Sequence, residues 1–285
     1  MTTTHAQIGR ILTRTCGYLG TVCSHSLQPY RGCAYGNSLC GVGCYARHIW
    51  WVTHGEPWGS FVEARDNAAE AYAREYANER RWARAKLGKF GIFLSSSTEP
   101  FQPLEQKLHI TQRVLDAMAA RPPDVLIVQS HSHHMADCTG TYAKLTGRCD
   151  LRLQLSIESD RDELPGLPRS ASTIEKRLSA AAAMKSAGLR VTITVAPLLP
   201  IDHPERFFGR LREVADAVII DHYIDGDGSC NGSRTKRTPL PQAMAAVDPA
   251  SVTLEYRQRI AQIARQHFPG RVGVNAWGFA GNFGD

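Results

Sequence analysis

The sequence lacks the features that mark a membrane-spanning, secreted or disordered protein. None of its apolar runs approaches the roughly 20 residues that a membrane-spanning helix needs, and the longest, such as 191–199, has the length of a strand. Residues 1–5 contain neither the basic nor the apolar region of a secretory signal. No repeat, low-complexity tract or linker interrupts the 285 residues. We therefore expect a cytoplasmic protein with no membrane partner, folded as a single domain over residues 1–285.

An excess of charge of one sign is also nearly absent, whereas cysteine is concentrated at one end. The chain has 33 Lys and Arg residues against 27 Asp and Glu residues, for a net charge of +6. This balance favours anionic partners only mildly. Five of the eight cysteines lie within the first 44 residues. In a reducing cytosol such a group is typical of a metal or iron–sulfur site rather than of disulfides.

Short apolar runs alternate with longer helical patterns. The predicted strands are 92–94, 124–128, 151–157, 189–196, 215–220 and 271–274. The predicted helices are 60–87, 103–120, 173–187, 204–214 and 249–267, with Thr173 as an N-cap and Gly188 as a stop. This alternation predicts a parallel sheet with crossover helices, either a barrel or a doubly wound sheet. In both folds the active site forms at the carboxyl ends of the strands.

The most informative segment is the glycine-rich stretch 28–47, which contains Cys33, Cys40 and Cys44. Glycine lets the backbone wrap closely around a metal centre and offer N–H groups to its sulfurs. Three thiolates suit three irons of a [4Fe–4S] cluster and leave the fourth iron open. A structural zinc site would need a fourth ligand, for which three residues are near: Cys16, Cys23 and His48. On spacing alone, both kinds of site remain open.

Several short motifs resemble those of radical S-adenosylmethionine (AdoMet) enzymes, specifically the group related to spore photoproduct lyase. Residues 29–33 and 44–47 resemble that group's cluster loop, and 97–105 and 155–157 resemble its second and fourth strands. Three more segments resemble a helix and the fifth strand of that group: 175–178, 187–190 and 195–200. The resemblance covers about 24–225 and implies a partial (β/α)6 barrel of the TIM type, with 226–285 as an extension packed on it.

The resemblance implies that Cys33, Cys40 and Cys44 hold a [4Fe–4S] cluster. The loop reads C-x6-C-x3-C, whereas the family loop reads C-x3-C-x2-C. Its outer cysteines match, and Cys40 is assigned because it lies between them, with Cys23 as the alternative.

The family's chemistry is reductive cleavage of AdoMet to a 5′-deoxyadenosyl radical, which abstracts a hydrogen atom. An external electron donor such as flavodoxin or ferredoxin is implied as a partner. The positions that would contact AdoMet are Tyr45, Ser97, Thr98, Glu99, Gln129, Ser130, Ser156 and Glu158. At Gln129 or Ser130 the related lyase has a cofactor-binding Lys. A neutral Gln can hydrogen-bond the AdoMet carboxylate but cannot pair with its charge.

The hydrogen donor of the related lyase, a cysteine on its second strand, is missing. This chain has serine in the aligned stretch 94–97, and a serine O–H bond is too strong to donate a hydrogen atom readily. Cys138 or Cys230 would replace that cysteine, with Tyr45 as a relay. In an isomerase the product radical would instead recover its hydrogen from 5′-deoxyadenosine. The structural alternative is that Cys138, Cys149 and Cys230 are small buried hydrophobic residues.

Basic and aromatic residues indicate a nucleic-acid substrate. The candidate substrate or DNA contacts are Trp50, Trp51, His131, His133, His222, Asp225, Arg234, Lys236 and Arg237. Arg and Lys bind phosphates, and Trp stacks on a displaced base. A second basic group at 80–89 is either another phosphate contact or a solvated helix face.

Likeness to a lyase that acts on thymine in DNA favours a thymine or modified thymine base, flipped out of its duplex. The favoured reaction is a rearrangement on the thymine methyl carbon, as in the thymine hypermodification of phages, and the protein would then be phage-encoded. Three alternatives remain: dimer repair, radical modification of a small metabolite or peptide, and a non-catalytic zinc or iron–sulfur protein that binds nucleic acid.

Overall fold

The computed structural model describes residues 1–284, in which short strands alternate with helices. The strands are β1 (Thr2–Ala6), β2 (Leu12–Arg14), β3 (His25–Leu27), β4 (Tyr30–Gly32), β5 (Phe61–Arg65), β6 (Gly91–Leu94), β7 (Val125–Ser130), β8 (Asp150–Ser156), β9 (Val191–Val195), β10 (Ala217–Ile220) and β11 (Val272–Val274). The helices are α1 (Gly17–Gly20), α2 (Leu39–Val42), α3 (Trp50–Thr53), α4 (Ala68–Leu87), α5 (Glu105–Leu108), α6 (Ile110–Ala120), α7 (Thr139–Leu145), α8 (Ile174–Ser186), α9 (Pro204–Val214), α10 (Tyr223–Gly226), α11 (Leu240–Val247), α12 (Leu254–His267) and α13 (Asn275–Phe279). Short 3-10 turns cover Tyr45–His48, His133–Cys138, Cys230–Gly232, Thr235–Arg237 and Pro249–Val252. Among the described helices, none combines the length and the apolar character needed to cross a membrane.

The parallel strands form a partial barrel. Strands β3, β6, β7, β8, β9 and β10 are neighbours in that order, and each pair runs parallel. Strand β2 joins one end of the sheet antiparallel to β3, and β11 joins the other end parallel to β10. Because the spatial order follows the chain order, the sheet has no reversal of the doubly wound kind. The predicted (β/α)6 barrel is therefore confirmed, and the doubly wound alternative is wrong.

The strands of the barrel separate two apolar layers. Side chains such as Val128, Leu153 and Ile193 belong to the large core cluster between the strands and the helices. Their chain neighbours alternate to the other face, where Phe93 and Ile127 belong to a smaller cluster inside the barrel. This inner cluster closes the barrel towards the amino ends of its strands. A site at the carboxyl edge therefore lies above this apolar cluster.

Some predicted helices match the structure closely, because their ends carry local signals. The predicted helix over 204–214 is α9. Thr173 caps α8, with its Oγ1 accepting a hydrogen bond from the Lys176 N–H at 3.4 Å. After α8, Gly188 adopts a positive φ of 80°, as expected for a residue that ends a helix.

Other predicted helices are wrong in part. In the predicted helix 60–87, the first residues form β5, which pairs with β1 and β4 in a separate three-stranded sheet. The predicted helix 103–120 is broken at His109, whose φ is 51°. The predicted helix 249–267 starts as a 3-10 turn and becomes α-helical only at Leu254. Pairing with strands far along the chain and local breaks override the helical pattern in these segments.

Candidate active site

The three predicted cysteine ligands lie in one segment, close to the carboxyl edge of the barrel. Cys33 follows β4, Cys40 lies in α2, and Cys44 directly precedes the 3-10 turn Tyr45–His48. They share a small apolar cluster with Tyr35. The loop thus encloses its thiols in a largely apolar environment.

Burial raises the pKa of all three thiols. The pKa of Cys40 rises to about 12, and the pKa values of Cys33 and Cys44 are also raised. After burial, the charges of Cys40, Glu99 and Cys44 raise the pKa of Cys33 further, so these groups lie within electrostatic reach of each other. Neighbouring thiolates of this kind become stable when a bound metal centre supplies positive charge.

The donor set fits an iron–sulfur cluster better than a single metal ion. Within residues 1–284, no three Cys, His, Asp or Glu side chains converge on a point that one ion would occupy. A structural zinc ion needs four such ligands at about 2.0–2.3 Å. A [4Fe–4S] cluster instead binds each thiolate at a different iron, so its cysteines surround a larger group. The three cysteines match that requirement in number and in proximity.

The alternative ligands Cys23 and Cys16 lie elsewhere, whereas His48 ends the 3-10 turn that follows Cys44. The Cys23 thiol donates to the backbone carbonyl of His25 at 3.2 Å and packs in the inner barrel cluster with Phe93. Cys16 is exposed, at the start of α1. These positions favour Cys40 as the third ligand.

Two glycines allow the long cysteine loop to fold compactly. A Cβ atom on Gly41 would overlap the backbone of Tyr35 and Gly36, and one on Gly36 would overlap the backbone of Gly59. The loop therefore closes on itself between Cys33 and Cys40. This folding shows where the longer spacing of the loop is accommodated.

Glu99 lies in the segment after β6, and its carboxylate is bonded to residues at the end of β7. Its carboxylate accepts hydrogen bonds from Ser130 Oγ at 2.6 Å, from the His131 N–H at 2.8 Å and from the Phe101 N–H at 2.9 Å. Burial nevertheless raises the pKa of Glu99. The sequence analysis assigned Glu99 and Ser130 to one site, and in the structure the two side chains share a hydrogen bond.

His131, Glu158 and Arg177 continue this network as alternating charges. His131 Nε2 lies 3.1 Å from Glu158 Oε1, and Arg177 Nη1 donates to Glu158 Oε2 at 2.7 Å. Burial opposes the charge on Glu158, but Arg177 and His131 outweigh it and hold the pKa of Glu158 at about 2. Burial likewise lowers the pKa of His131, but Glu158 and Glu99 reverse the effect and raise it. His131 and Glu158 thus stabilise each other's charged forms.

A pocket opens beside Cys40, and one polar atom of its lining residues lacks a partner. The lining includes Tyr35, Leu39, Cys40, Glu158, Arg177 and Leu199. Within residues 1–284, Arg177 Nε is buried without a hydrogen-bond partner, whereas Glu158 Oε1 faces His131 Nε2 at 3.1 Å. Unpaired buried polar atoms are costly in a folded protein and usually mark a missing ligand or water. Arg177 therefore offers a free donor to a polar ligand.

Other predicted cofactor contacts bond to each other or to the backbone. Gln129 Nε2 donates to Ser156 Oγ at 3.3 Å and to Thr194 Oγ1 at 3.4 Å, forming a polar layer in the barrel. The Thr98 hydroxyl donates to Gln28 Oε1 at 3.1 Å. These side chains shape the floor and wall of the site.

Tyr45 is anchored between the cysteine loop and the segment after β6. Its hydroxyl donates to the backbone carbonyl of Ser96 at 2.6 Å, and burial raises the pKa of this phenol. The neighbouring Ser97 is half-buried. The Tyr45 ring is thus held in a fixed position next to Cys44.

Besides His131, three predicted substrate contacts already have partners within the protein. His133 Nδ1 lies 2.9 Å from Ser172 Oγ, and His222 Nε2 lies 2.9 Å from a backbone carbonyl oxygen. Asp225 accepts a hydrogen bond from Arg257 Nη1 at 2.7 Å. These contacts favour structural roles for the three residues.

The remaining predicted substrate contacts are more accessible. Trp50 and Trp51 are 68% and 70% exposed. Arg234 is half-buried, whereas Lys236 and Arg237 are exposed. These five residues remain available to an external ligand.

The predicted hydrogen donors Cys138 and Cys230 differ in their surroundings from each other and from Cys149. Cys138 packs in the main core, and burial raises the pKa of its thiol to about 12. Cys149 is half-buried, with its thiol 3.7 Å from the carbonyl oxygen of Leu145. Cys230 is exposed on the loop that precedes Arg234. The position of Cys138 favours the packing role.

The basic group at 80–89 lies at the opposite end of the barrel. Arg84 Nε donates to Asp124 at 2.9 Å, directly before β7 begins. Trp82 lies beneath the guanidinium of Arg14, 3.8 Å from its ring centroid. These contacts favour the interpretation of this group as a helix face.

Sequence reasoning missed Asp221 and Arg177. Asp221 directly follows β10, and its Oδ2 accepts a hydrogen bond from Tyr18 at 2.9 Å. Burial raises the pKa of Asp221 to about 7. Its position after a strand was an available signal. Arg177 lies within α8, where an arginine carries no such signal.

We expect the raised pKa of Asp221 to make folding less favourable as the pH rises towards neutrality. An unfolded Asp titrates near 3.9, whereas folded Asp221 titrates near 7. The native state therefore binds more protons between these values, and the free energy of unfolding falls across this window. Asp221→Asn should flatten the decline in melting temperature between about pH 5 and about pH 7. The control Glu163→Gln alters an exposed carboxylate and should keep the decline; the same profile in Asp221→Asn as in the wild type would contradict this expectation.

Comparisons with known proteins agree with this geometry. No family model matches the sequence, and no curated protein matches it. A spore photoproduct lyase double mutant with bound AdoMet and dinucleoside spore photoproduct has a TM-score of 0.58 and 14% identity, covering 89% of this chain and 76% of that chain. The lyase complexed with dinucleoside spore photoproduct has a TM-score of 0.56 and 16% identity, with the same coverage of both chains. A point mutant of the lyase has a TM-score of 0.61 and 14% identity, covering 96% of this chain and 81% of that chain. The chain therefore has the fold of spore photoproduct lyase, in agreement with the resemblance in its sequence.

Proposed function

We propose that the chain is a radical AdoMet enzyme that abstracts a hydrogen atom from a nucleobase, a thymine or modified thymine in DNA. The observation that carries this proposal is the grouping of Cys33, Cys40 and Cys44 with Glu99, at the mouth of a barrel with the fold of spore photoproduct lyase. When bound, a [4Fe–4S] cluster and AdoMet supply the 5′-deoxyadenosyl radical.

The residues around the pocket have distinct tasks in this proposal. The three cysteines hold the cluster, while Glu99 and Glu158 offer acceptors to the amino group and ribose hydroxyls of AdoMet. Arg177 Nε offers a donor, since it is buried and unpaired. Leu39 and Leu199 line the same pocket and exclude water from it.

The absence of a cysteine in the stretch after β6 supports a rearrangement. Strand β6 ends at Leu94 and is followed by three serines, with no cysteine in that stretch. Cys138 is packed in the core, and Cys230 is exposed. We therefore favour an isomerase type of reaction, in which the rearranged product radical recovers a hydrogen atom from 5′-deoxyadenosine. The substituent on the thymine methyl carbon is the group that would move.

A second candidate is lyase-type repair of a thymine dimer in DNA. It is favoured by the bound dinucleoside spore photoproduct in structures with the same fold. Both candidates require an external electron donor such as flavodoxin or ferredoxin. They differ in whether the reaction cleaves a bond between two bases or rearranges one base.

Deuterium transfer tests the proposed substrate. The reconstituted protein receives dithionite, AdoMet and one of three oligonucleotides with a deuterated thymine methyl carbon. That carbon is unsubstituted in the first oligonucleotide and carries a hydroxyl or an amino group in the other two. A parallel reaction uses dinucleoside spore photoproduct. With a substituted thymine, we expect deuterium to move from the methyl carbon to 5′-deoxyadenosine and then to return to the product base.

The other outcomes separate the candidates. Cleavage of spore photoproduct alone would support repair. AdoMet cleavage without deuterium transfer from any oligonucleotide, and without cleavage of spore photoproduct, would contradict a nucleobase substrate and point to a small metabolite or peptide. Cys33→Ala serves as the inactive control.

A further inference from the structure

Three arginines that have no carboxylate partner within residues 1–284 occur on two segments near the cysteine loop: Arg47, Arg234 and Arg237. Arg47 Nη1 donates to the carbonyl of Val42 at 2.8 Å, and Arg234 Nη1 donates to the backbone carbonyl of Asp227 at 3.1 Å. The exposed Arg237 side chain makes no hydrogen bond to any residue in 1–284. We call these three residues the arginine cluster.

The two segments of the arginine cluster pack against each other, and Arg47 directly precedes His48. A Cβ atom on Gly43 would lie 2.6 Å from Leu240 Cδ2, so the cysteine loop directly contacts the segment that follows Arg237. Leu39 and Leu240 also share one buried apolar cluster. The pKa of His48 is lowered by burial first and then by the charges of all three arginines. The cluster is therefore compact as well as positively charged.

The nearest acidic group does not neutralise the arginine cluster by an ion pair. Asp227 is 2% exposed, and its carboxylate accepts hydrogen bonds from the Ser229 N–H and the Thr235 N–H, both at 2.8 Å. Both oxygens are thus used to fold the loop that carries Arg234 and Arg237. The loop is preorganised, and an excess of positive charge remains.

The arginine cluster lies next to the candidate active site. Arg47 lies in the 3-10 turn Tyr45–His48 that directly follows Cys44, and the Tyr45 hydroxyl at the start of this turn is anchored to the carbonyl of Ser96. His48 Nε2 is also buried without a hydrogen-bond partner. An anion held here would be adjacent to a group bound near Tyr45.

We propose that the arginine cluster binds a phosphate group of the nucleic-acid strand that carries the substrate base. Guanidinium groups match the geometry of phosphate oxygens and form charge-assisted hydrogen bonds with them. A phosphate beside Tyr45 suits a nucleotide whose base has been turned into the pocket. The exposed Trp50 and Trp51 on α3 offer faces on which neighbouring bases stack. The identity of the ligand as nucleic acid rests on the proposed function, whereas the phosphate site itself rests on the arginines.

Binding in the absence of radical chemistry tests this inference. The reconstituted protein, without AdoMet or reductant, is titrated into a fluorescein-labelled single strand of about 12 nucleotides that contains thymine. Anisotropy is measured over a range of salt concentrations. We expect Arg237→Gln to weaken binding about tenfold and to lower the salt slope by about one unit, with Arg47→Gln acting in the same direction.

The matched control is Arg81→Gln, which changes an exposed arginine of α4 and should leave affinity and slope unchanged. Equal affinity and slope for Arg237→Gln and the wild-type protein would overturn the proposal. Melting temperatures verify that the variants are folded. This control matters for Arg47, whose side chain bonds the cysteine loop, and less for Arg237, whose side chain makes no hydrogen bond within residues 1–284.

Competition by thymidine 5′-monophosphate distinguishes the two sources of phosphate. Weak competition supports a strand as the ligand. Competition as strong as that of the unlabelled strand would keep the phosphate site but overturn its assignment to a strand. Since the assay involves no AdoMet cleavage, failure of the proposed radical chemistry would leave its result intact, and loss of the phosphate site would leave the radical chemistry intact.

Discussion

Replacing Cys33, Cys40 or Cys44 with Ala is expected to remove the iron–sulfur cluster and to reduce AdoMet cleavage to the background rate. The loop supplies three thiols, and a cluster that loses one of them loses the attachment of one iron. Because burial raises the pKa of these thiols, the remaining cysteines are protonated unless a metal centre compensates their charge. Iron and sulfide content after anaerobic reconstitution, together with the yield of 5′-deoxyadenosine, measures the effect.

Cys23→Ala and Cys16→Ala are the matched controls. Cys23 packs inside the barrel, and Cys16 is exposed, so both variants should keep the wild-type content of iron and sulfide. Loss of iron in Cys23→Ala, with retention in Cys40→Ala, would contradict the assignment of Cys40. It would identify Cys23 as the third ligand.

The largest expected effect on stability comes from Arg177→Leu, which should lower the free energy of unfolding by about 3 kcal/mol. Arg177 is 2% exposed and bonds both the Glu158 carboxylate and the carbonyl of Ser156. Its loss leaves a buried carboxylate with only His131 as a cationic neighbour. Removing one member of a buried ion pair is costly because the other charge remains away from water. Urea unfolding of the apoprotein measures the change.

Arg210→Leu is the matched control for this prediction. Arg210 also lies on a helix beside the barrel and pairs with a glutamate, but Glu175 is 71% exposed. Ion pairs of this kind contribute about 0–1 kcal/mol. A similar loss in the free energy of unfolding for Arg177→Leu and Arg210→Leu would show that the buried ion pair contributes no more than the exposed one. If Arg177→Leu still bound AdoMet, that result would argue against the role of Arg177 as a donor to AdoMet.

Much of the barrel could be predicted from the sequence, because its strands and crossover helices carry local signals. The apolar runs that became β7 to β10 are bounded by polar residues, and α9 has Pro204 at its first turn. The resemblance to the spore photoproduct lyase group implied that Glu99, Ser130 and Glu158 share one site, and the rule that active sites form at the carboxyl ends of parallel strands agrees with it. The hydrogen bonds of Glu99 and the contact of His131 with Glu158 join these residues in the structure.

The parts that could not be predicted depend on distant partners. Strand β5 exists because β1 and β4 pair with it, and its own residues read as the start of a helix. The bond between Tyr18 and Asp221 joins residues 203 positions apart in the chain. The arginine cluster likewise combines segments that only the folded chain brings together.

The central claim is that the cysteine loop and its pocket support radical AdoMet chemistry, and production of 5′-deoxyadenosine tests it most directly. The protein is reconstituted anaerobically with iron and sulfide, and AdoMet and dithionite are added with and without thymine-containing DNA. We predict cleavage that depends on Cys33, Cys40 and Cys44 and increases when DNA is present. Tightly bound zinc in place of iron, with no cleavage under either condition, would contradict the account.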